Sequence, residues 1–143
     1  MEIVKLEKND ISKIVDLFNE QFKNESWTEN QILESFNSNA TKFYGIIKNN
    51  VLICVASILI TIDDINLLDI ATKEGYKRQG YATKMLKYII SLKKENQSVS
   101  LEVKSKNIPA INLYESVGFK TLNVRHKYYK DGDDALCMFI ISK

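Results

Sequence analysis

The chain has 143 residues and a formal net charge of +2, and 45% of its residues are hydrophobic against 27% charged. This length favours a single domain over residues 1–143, large enough to bury a core. The small net charge and the lack of a nucleic-acid-binding motif argue against direct binding of nucleic acid. The longest apolar run, residues 51–62, is too short to span a bilayer, and the charged start MEIVKLEKND is unlike a secretory signal. We therefore expect a cytoplasmic protein with no membrane partner.

The two cysteines, Cys54 and Cys137, lie in the apolar runs VLICVASILI and ALCMFIIS. Their spacing is not that of metal ligands. Free cysteine usually behaves as a small hydrophobic residue. We therefore expect two buried, unpaired thiols in a reducing compartment, and no bound metal.

The first half of the chain predicts two helices and four strands. Residues 3–6 indicate a short first strand, and Asn9 or Asp10 is expected to cap a helix whose apolar residues recur at helical spacing up to residue 18. A second helix is predicted from Thr28. Strand-like segments at residues 42–48, 51–62 and 65–72, separated by Asn-Asn and Asp-Asp turns, predict an antiparallel meander.

The second half alternates helices and strands. Residues 79–95 form the clearest amphipathic helix, and residues 99–103 alternate as a strand does. Asn107 and Pro109 suit a helix start and Gly118 its end, and a hairpin of residues 119–128 and 135–141 follows. The pattern predicts an α+β fold, with a mixed, mostly antiparallel sheet of about seven strands flanked by about four helices.

Residues 76–82, YKRQGYA, connect a strand to the start of the clearest helix. The first N–H groups of a helix have no partner within it and carry partial positive charge, which suits an anion. Gly80 permits a close approach of the backbone, and Lys77 and Arg78 add positive charge. From these residues alone, a solvated turn is the favoured interpretation, because short glycine motifs match often by accident, and the loop matches neither a Walker loop nor a dinucleotide-binding motif.

Two blocks carry a family resemblance. KRQGYA at residues 77–82 is similar to Q/R-x-x-G-x-G/A, with Lys77 where Arg or Gln is usual, and residues 101–119 match LEV-x3-N-x2-A-x2-LYE-x2-GF. Together they resemble the GNAT superfamily of acetyltransferases and, within it, the RimI branch, which acetylates the N-terminal alanine of a small-subunit ribosomal protein. The tail, with Tyr128-Tyr129 and Asp131-Gly132, resembles the same branch. The resemblance covers about residues 67–139.

The resemblance implies that acetyl-CoA is the co-substrate, with Glu102 as general base and Tyr114 as general acid. The implied acceptor is the peptide N-terminus of a ribosomal protein, and we expect a monomer or weak dimer. The implied CoA-binding residues are Ile70, Ala71, Thr72, Lys77, Arg78, Gln79, Gly80, Tyr81, Ala82 and Asn107.

The residues by themselves leave other interpretations open. Glu102 also suits an exposed strand position, and Tyr114 also suits the apolar stripe of its helix. Asn107 is a helix cap in either case. His126, the only histidine, is not assigned to catalysis, and the basic residues around it, Arg125, Lys127 and Lys130, suit either a solvated edge or the rim of an acceptor site. Ser26-Trp27-Thr28 resembles a Pro-Trp-Ser element that shapes the acceptor site in the family.

Two other functions remain as alternatives. One is acetyl transfer to a small amine, such as a polyamine or an aminoglycoside, since the His-Pro that often precedes the family's Trp is missing before Trp27. The other is a CoA-binding or interaction module without activity.

Overall fold

Seven strands form one sheet in the computed structural model, which describes residues 2–22 and 27–141. The strands are β1 (Ile3–Lys5), β2 (Thr41–Lys48), β3 (Val51–Ile60), β4 (Asp64–Thr72), β5 (Ser98–Lys104), β6 (Lys120–Arg125) and β7 (Ala135–Ile140). Their order is β1-β2-β3-β4-β5-β7-β6. Neighbouring strands are antiparallel, except that β4 and β5 are parallel. The predicted mixed sheet and the meander of β2, β3 and β4 are confirmed.

Helices cover both faces of this sheet. They are α1 (Ile11–Phe22), α2 (Glu29–Phe36), α3 (Tyr81–Ser91) and α4 (Ile108–Ser116). One buried cluster joins the sheet to α3 and α4 through Met85, Leu86 and Tyr114. A second cluster joins the opposite face to α1 and α2 through Phe18 and Ile32. The predicted α+β class is thereby confirmed. In the described ranges, no helix is long and apolar enough to cross a membrane.

Several predicted boundaries are wrong by a few residues. The helix predicted over residues 79–95 begins only at Tyr81, because Gly80 takes a left-handed φ of 88°, and it ends at Ser91. The predicted cap at Asn9 or Asp10 is also wrong, because both residues belong to a 3-10 turn that is capped by Glu7. The strand predicted to reach residue 128 stops at residue 125, since Lys127 has a φ of 52°.

The two parallel strands separate halfway along the sheet. Pairing of β4 with β5 extends only from Asp64 opposite Ser98 to Leu67 opposite Leu101. On its other edge β4 carries a bulge, because Leu67 and Asp69 oppose successive residues of β3 and Leu68 opposes none. A bulge bends the strand that contains it. The last residues of β4 therefore border an opening between β4 and β5.

Candidate functional site

Two cavities meet at the opening between β4 and β5. The first, here called the loop-side cavity, has a volume of about 410 Å³ and lies between the end of β4, residues 76–83 and α4. The second, the strand-side cavity, has a volume of about 390 Å³ and lies between β4, β5 and α4. Both are lined by Ile70, Thr72, Ala82, Ala110 and Leu113. The two cavities are therefore parts of one continuous cleft, of a size that suits a small-molecule site.

Most of the predicted CoA-binding residues lie in the loop-side cavity. The structure brings eight of the ten together there: Ile70, Ala71, Thr72, Lys77, Arg78, Gly80, Tyr81 and Ala82. Gln79 is not among the lining residues, because its Nε2 turns back to donate to the carbonyl of Gly75 at 3.2 Å. Asn107 lines the strand-side cavity, and its Oδ1 caps α4 by accepting from the N–H of Ala110 at 3.3 Å.

The loop before α3 has the geometry of an anion site. The backbone bends through two left-handed residues, Arg78 with φ 62° and Gly80 with φ 88°. The first hydrogen bond of α3 runs from the N–H of Lys84 to the carbonyl of Gly80 at 3.0 Å. The N–H groups of residues 81–83 therefore have no acceptor within the helix. A Cβ atom at Gly80 would meet nothing within 4 Å. The start of α3 therefore presents donors, and the helix dipole, to open space.

One residue of α1 fastens the beginning of this loop. Glu20 Oε2 lies 3.0 Å from Lys73 Nζ, and Glu20 Oε1 accepts from the N–H of Glu74 at 2.8 Å. The hydrogen bond from the Glu74 backbone and the contact with Lys73 lower the pKa of Glu20 below its usual value. Sequence reasoning missed this contact, which joins residues more than fifty positions apart.

Glu102 lies in the strand-side cavity, as does Tyr114. The carboxylate of Glu102 is bound from β6, where Arg125 Nε lies 3.1 Å from Glu102 Oε2. The Cys137 thiol on β7 lies 3.8 Å from the same oxygen. The sequence left Arg125 as a possible rim residue, whereas the structure makes it the ion-pair partner of Glu102. Their closeness comes from the order β5-β7-β6 in the sheet.

Tyr114 is 9% exposed and packs edge-on against Phe119, with ring centroids 6.0 Å apart. It is therefore a core residue and a cleft residue at once, which unites the two interpretations of its position. Burial raises the pKa of the Tyr114 phenol to about 12, and electrostatic interactions with Asp69 and Tyr129 act in the same direction. The phenol consequently keeps its proton over the physiological pH range.

Asp69 is the site residue that sequence reasoning missed. It lies on β4 directly after the bulge and lines the strand-side cavity with Glu102 and Tyr114. Trp27 Nε1 donates to Asp69 Oδ2 at 2.5 Å. Burial raises the pKa of Asp69 to about 6, and the hydrogen bond from Trp27 opposes this only in part. The run LLDIA contains one charged residue in an apolar strand, a signal that could have identified it.

Tyr129 completes the lining of this cavity beside Lys104, whose Nζ lies 5.2 Å from the Tyr129 ring centroid. His126 does not line it; its Nδ1 lies 3.4 Å from Asp134 at a strongly exposed position. Of the Ser26-Trp27-Thr28 element, Ser26 lies outside the described residues, Trp27 binds Asp69, and Thr28 caps α2 by accepting from the N–H of Gln31 at 3.1 Å.

Two known acetyltransferases are similar to this chain in sequence. The chain is 32% identical over 121 residues to the ribosomal protein bS18-alanine N-acetyltransferase of Escherichia coli, covering 78% of each chain. An N-alpha-acetyltransferase of Sulfurisphaera tokodaii is 42% identical over 76 residues, which is 51% of this chain and 46% of that protein. The chain thus spans about half the length of that archaeal relative.

A solved structure extends the comparison to the fold. The crystal structure of the ribosomal-protein-S18-alanine N-acetyltransferase from Escherichia coli matches with a TM-score of 0.89 at 28% identity, covering 99% of this chain and 94% of that one. The profile of the acetyltransferase (GNAT) family matches residues 11–119. The cleft, the loop and these similarities together show that the chain belongs to the acetyltransferase (GNAT) family.

Proposed function

We propose that this protein transfers the acetyl group of acetyl-CoA directly to the α-amino group of a peptide, with an N-terminal alanine of the ribosomal protein bS18 as its acceptor. The observation that carries the proposal is the continuity of the cleft. Its loop-side cavity has the features of an anion site, and its strand-side cavity contains Glu102 and Tyr114. The names of the relatives at 32% identity support the choice of acceptor.

We further propose that residues 1–143 act as one domain in the cytoplasm, where the two buried thiols, Cys54 and Cys137, stay reduced.

The loop-side cavity fits the pyrophosphate and the pantetheine arm of acetyl-CoA. The N–H groups at the start of α3 and the open space at Gly80 suit a phosphate, and Lys77 and Arg78 lie at its exposed rim. Past Leu67, β4 has no pairing with β5. Backbone N–H and C=O groups on that edge of residues 68–72 are free to bond the amide groups of the arm and to stabilise the oxyanion of the thioester carbonyl.

Glu102 is placed to take the proton that the amine loses. A free α-amino group has a pKa of about 7.7–8.0, so its deprotonation near neutral pH costs only on the order of 1 kcal/mol. A carboxylate acting directly or through one water is sufficient for this step. The amine nitrogen then forms a bond to the carbonyl carbon, and the bond from that carbon to sulfur breaks.

Tyr114 faces the proposed position of the leaving sulfur from α4. A phenol with a pKa of about 12 is a weaker acid than a thiol of pKa about 8.5. Complete proton transfer to the thiolate is therefore uphill by about 5 kcal/mol if the thiol keeps its ordinary pKa. Tyr114 thus acts by donating a hydrogen bond to the sulfur as negative charge develops there, which refines the general-acid role that the family resemblance implies.

A direct assay tests the proposal. The protein is incubated with acetyl-CoA and a peptide carrying the bS18 N-terminal sequence, and the site of acetylation is read by mass spectrometry. We expect α-amino acetylation that falls at least about 100-fold in Glu102→Gln, within the usual range for loss of a general base, while CoA binding persists. The matched control is Glu115→Gln, an exposed residue of α4 that should retain full activity. Equal rates in Glu102→Gln and the wild type would remove Glu102 from the mechanism.

A small amine is the second candidate acceptor. Two carboxylates, Asp69 and Glu102, line a strand-side cavity of about 390 Å³, and such a cavity also suits a small cation. A panel that contains the peptide, spermidine and an aminoglycoside separates the two acceptor classes. A kcat/KM for any free small amine above that for the peptide would replace the peptide assignment. Stabilisation by CoA without turnover on any member would indicate a CoA-binding module.

A further inference from the structure

Asp69 and Glu102 lie on the same face of the sheet, on opposite sides of the opening between β4 and β5. Glu102 alternates with Leu101 and Val103, which belong to the buried cluster beneath α3 and α4, so its side chain points to the opposite face. Asp69 lies two residues before Ala71, a member of the cluster beneath α1 and α2, and binds Trp27 on that side. Both carboxylates line the strand-side cavity.

The two carboxylates differ in their partners. The negative charge of Glu102 is balanced by Arg125, whose Nε lies 3.1 Å from Glu102 Oε2. Asp69 is half-buried, and within residues 2–22 and 27–141 its bonded donor is the uncharged indole N–H of Trp27, with no ion pair to a lysine, arginine or histidine. Holding an ionised carboxylate partly out of water without a cation is unfavourable. A cation supplied from the cavity would remove that cost.

We propose that Asp69 binds the acceptor amine in its ammonium form and is the residue that makes this cleft select a free, positively charged N-terminus. This inference rests on the proposed function, since it assigns the acceptor to the strand-side cavity. Asp69 positions the ammonium next to Glu102, which then takes the proton. Trp27 fixes the orientation of the Asp69 carboxylate, and the remaining oxygen, Oδ1, is available to the ammonium.

The charge state of Asp69 sets a pH window for this binding. Burial raises the pKa of Asp69 to about 6, so the carboxylate is ionised above that pH, while an α-amino group stays protonated up to about 8. Within residues 2–22 and 27–141, the other ionisable groups that line the cavity are Glu102 and Lys104 of β5, Tyr114 of α4 and Tyr129. Burial holds the pKa of each tyrosine at about 12, so neither tyrosine titrates in this window. Binding of the ammonium should therefore weaken as the pH falls through about 6.

Equilibrium binding tests this inference apart from turnover. Protein saturated with CoA, which cannot donate an acetyl group, is titrated with an alanine-starting peptide and with the same peptide in which a hydroxyl replaces the α-amino group. At pH 7 we expect the wild type to bind the ammonium peptide at least about 10-fold more tightly, the low end for a charge-assisted hydrogen bond. Asp69→Asn retains an acceptor for Trp27 and should lose most of this preference. A preference that persists unchanged in Asp69→Asn overturns the inference.

A control residue and a pH series complete the test. Asp64 is a half-buried aspartate at the start of the same strand, accepts a hydrogen bond from Ser100 Oγ at 2.7 Å, and lies outside both cavities. Asp64→Asn should keep the preference for the ammonium peptide. Between pH 7 and pH 5 that preference should fall in the wild type and stay flat in Asp69→Asn, whereas an equal fall in both proteins contradicts the inference. If Asp69→Asn fails to bind CoA, Asp69→Ser replaces it in the same peptide titrations.

The outcomes also separate this inference from the proposed function. Acetylation of the peptide by the wild type, together with an unchanged ammonium preference in Asp69→Asn, refutes the role of Asp69 and leaves the transferase intact. If Asp69→Asn loses the preference and the wild type acetylates no amine, the ammonium site is supported and the transferase is refuted.

Discussion

Replacing Tyr114 with Phe isolates the contribution of one hydroxyl group to acetyl transfer. The ring is 9% exposed and packs against Phe119, and Phe retains these contacts. The substitution therefore leaves the core filled, and the thermal midpoint should shift by no more than a few degrees. What the variant loses is a donor to the developing thiolate. A hydrogen bond to a charged group contributes about 1.5–3 kcal/mol, which corresponds to a fall in kcat of about 10- to 150-fold.

The assay is steady-state acetylation of an alanine-starting peptide, with CoA release as a second readout. Because the pKa of Tyr114 is about 12, its phenol stays protonated up to pH 10, so it should contribute no fall in kcat between pH 7 and pH 10. The Tyr114→Phe variant should therefore show a lower kcat with the same pH profile. A kcat within 3-fold of the wild type refutes the role of the hydroxyl. A basic limb near pH 9 that disappears in the variant refutes the high pKa.

Three further substitutions test the loop and the strand-side cavity. Gly80→Ala places a side chain at a φ of 88°, which costs about 1–2 kcal/mol; calorimetry should show this loss, and CoA should bind several-fold more weakly than to the wild type. Glu20→Gln should lower the free energy of unfolding by under about 1 kcal/mol at pH 7. Because the pKa of Glu20 is lowered, denaturant titrations should show that the difference in stability between variant and wild type vanishes as the pH falls through that lowered value. Asp69→Asn should stabilise the protein by up to about 3 kcal/mol at pH 7, since the pKa of Asp69 rises from 3.8 to about 6. That gain should shrink to below about 1 kcal/mol at pH 4, where Asp69 is protonated in the folded wild type. A gain that is independent of pH would contradict the burial of its charge.

The sequence predicted the fold well because its strands and helices have clear apolar periods. The alternation around Glu102 and the apolar stripe through Met85 and Ile89 each specify one buried face, and both faces are found as predicted. The cap at Asn107 and the left-handed residue Gly118 mark the ends of α4 as expected. Boundaries failed where a backbone conformation ended an element early, as at Lys127.

The contacts of the site were less predictable because they join residues distant in the chain. Arg125 lies close to Glu102 because a single strand, β7, separates their strands in the sheet. Trp27 and Asp69 are separated by 42 positions, and no local pattern pairs them. The bulge at Leu68 opens the cleft, yet its position depends on the register between β3 and β4, which local periodicity does not specify.

The measurement that tests the central claim most directly is mass spectrometry of an alanine-starting bS18 peptide after incubation with the protein and acetyl-CoA. The account predicts one acetyl group on the α-amino nitrogen with the wild type, and a rate at least about 100-fold lower with Glu102→Gln at unchanged CoA affinity. A peptide left unmodified by a wild-type protein that binds CoA would contradict it, as would acetylation confined to lysine side chains.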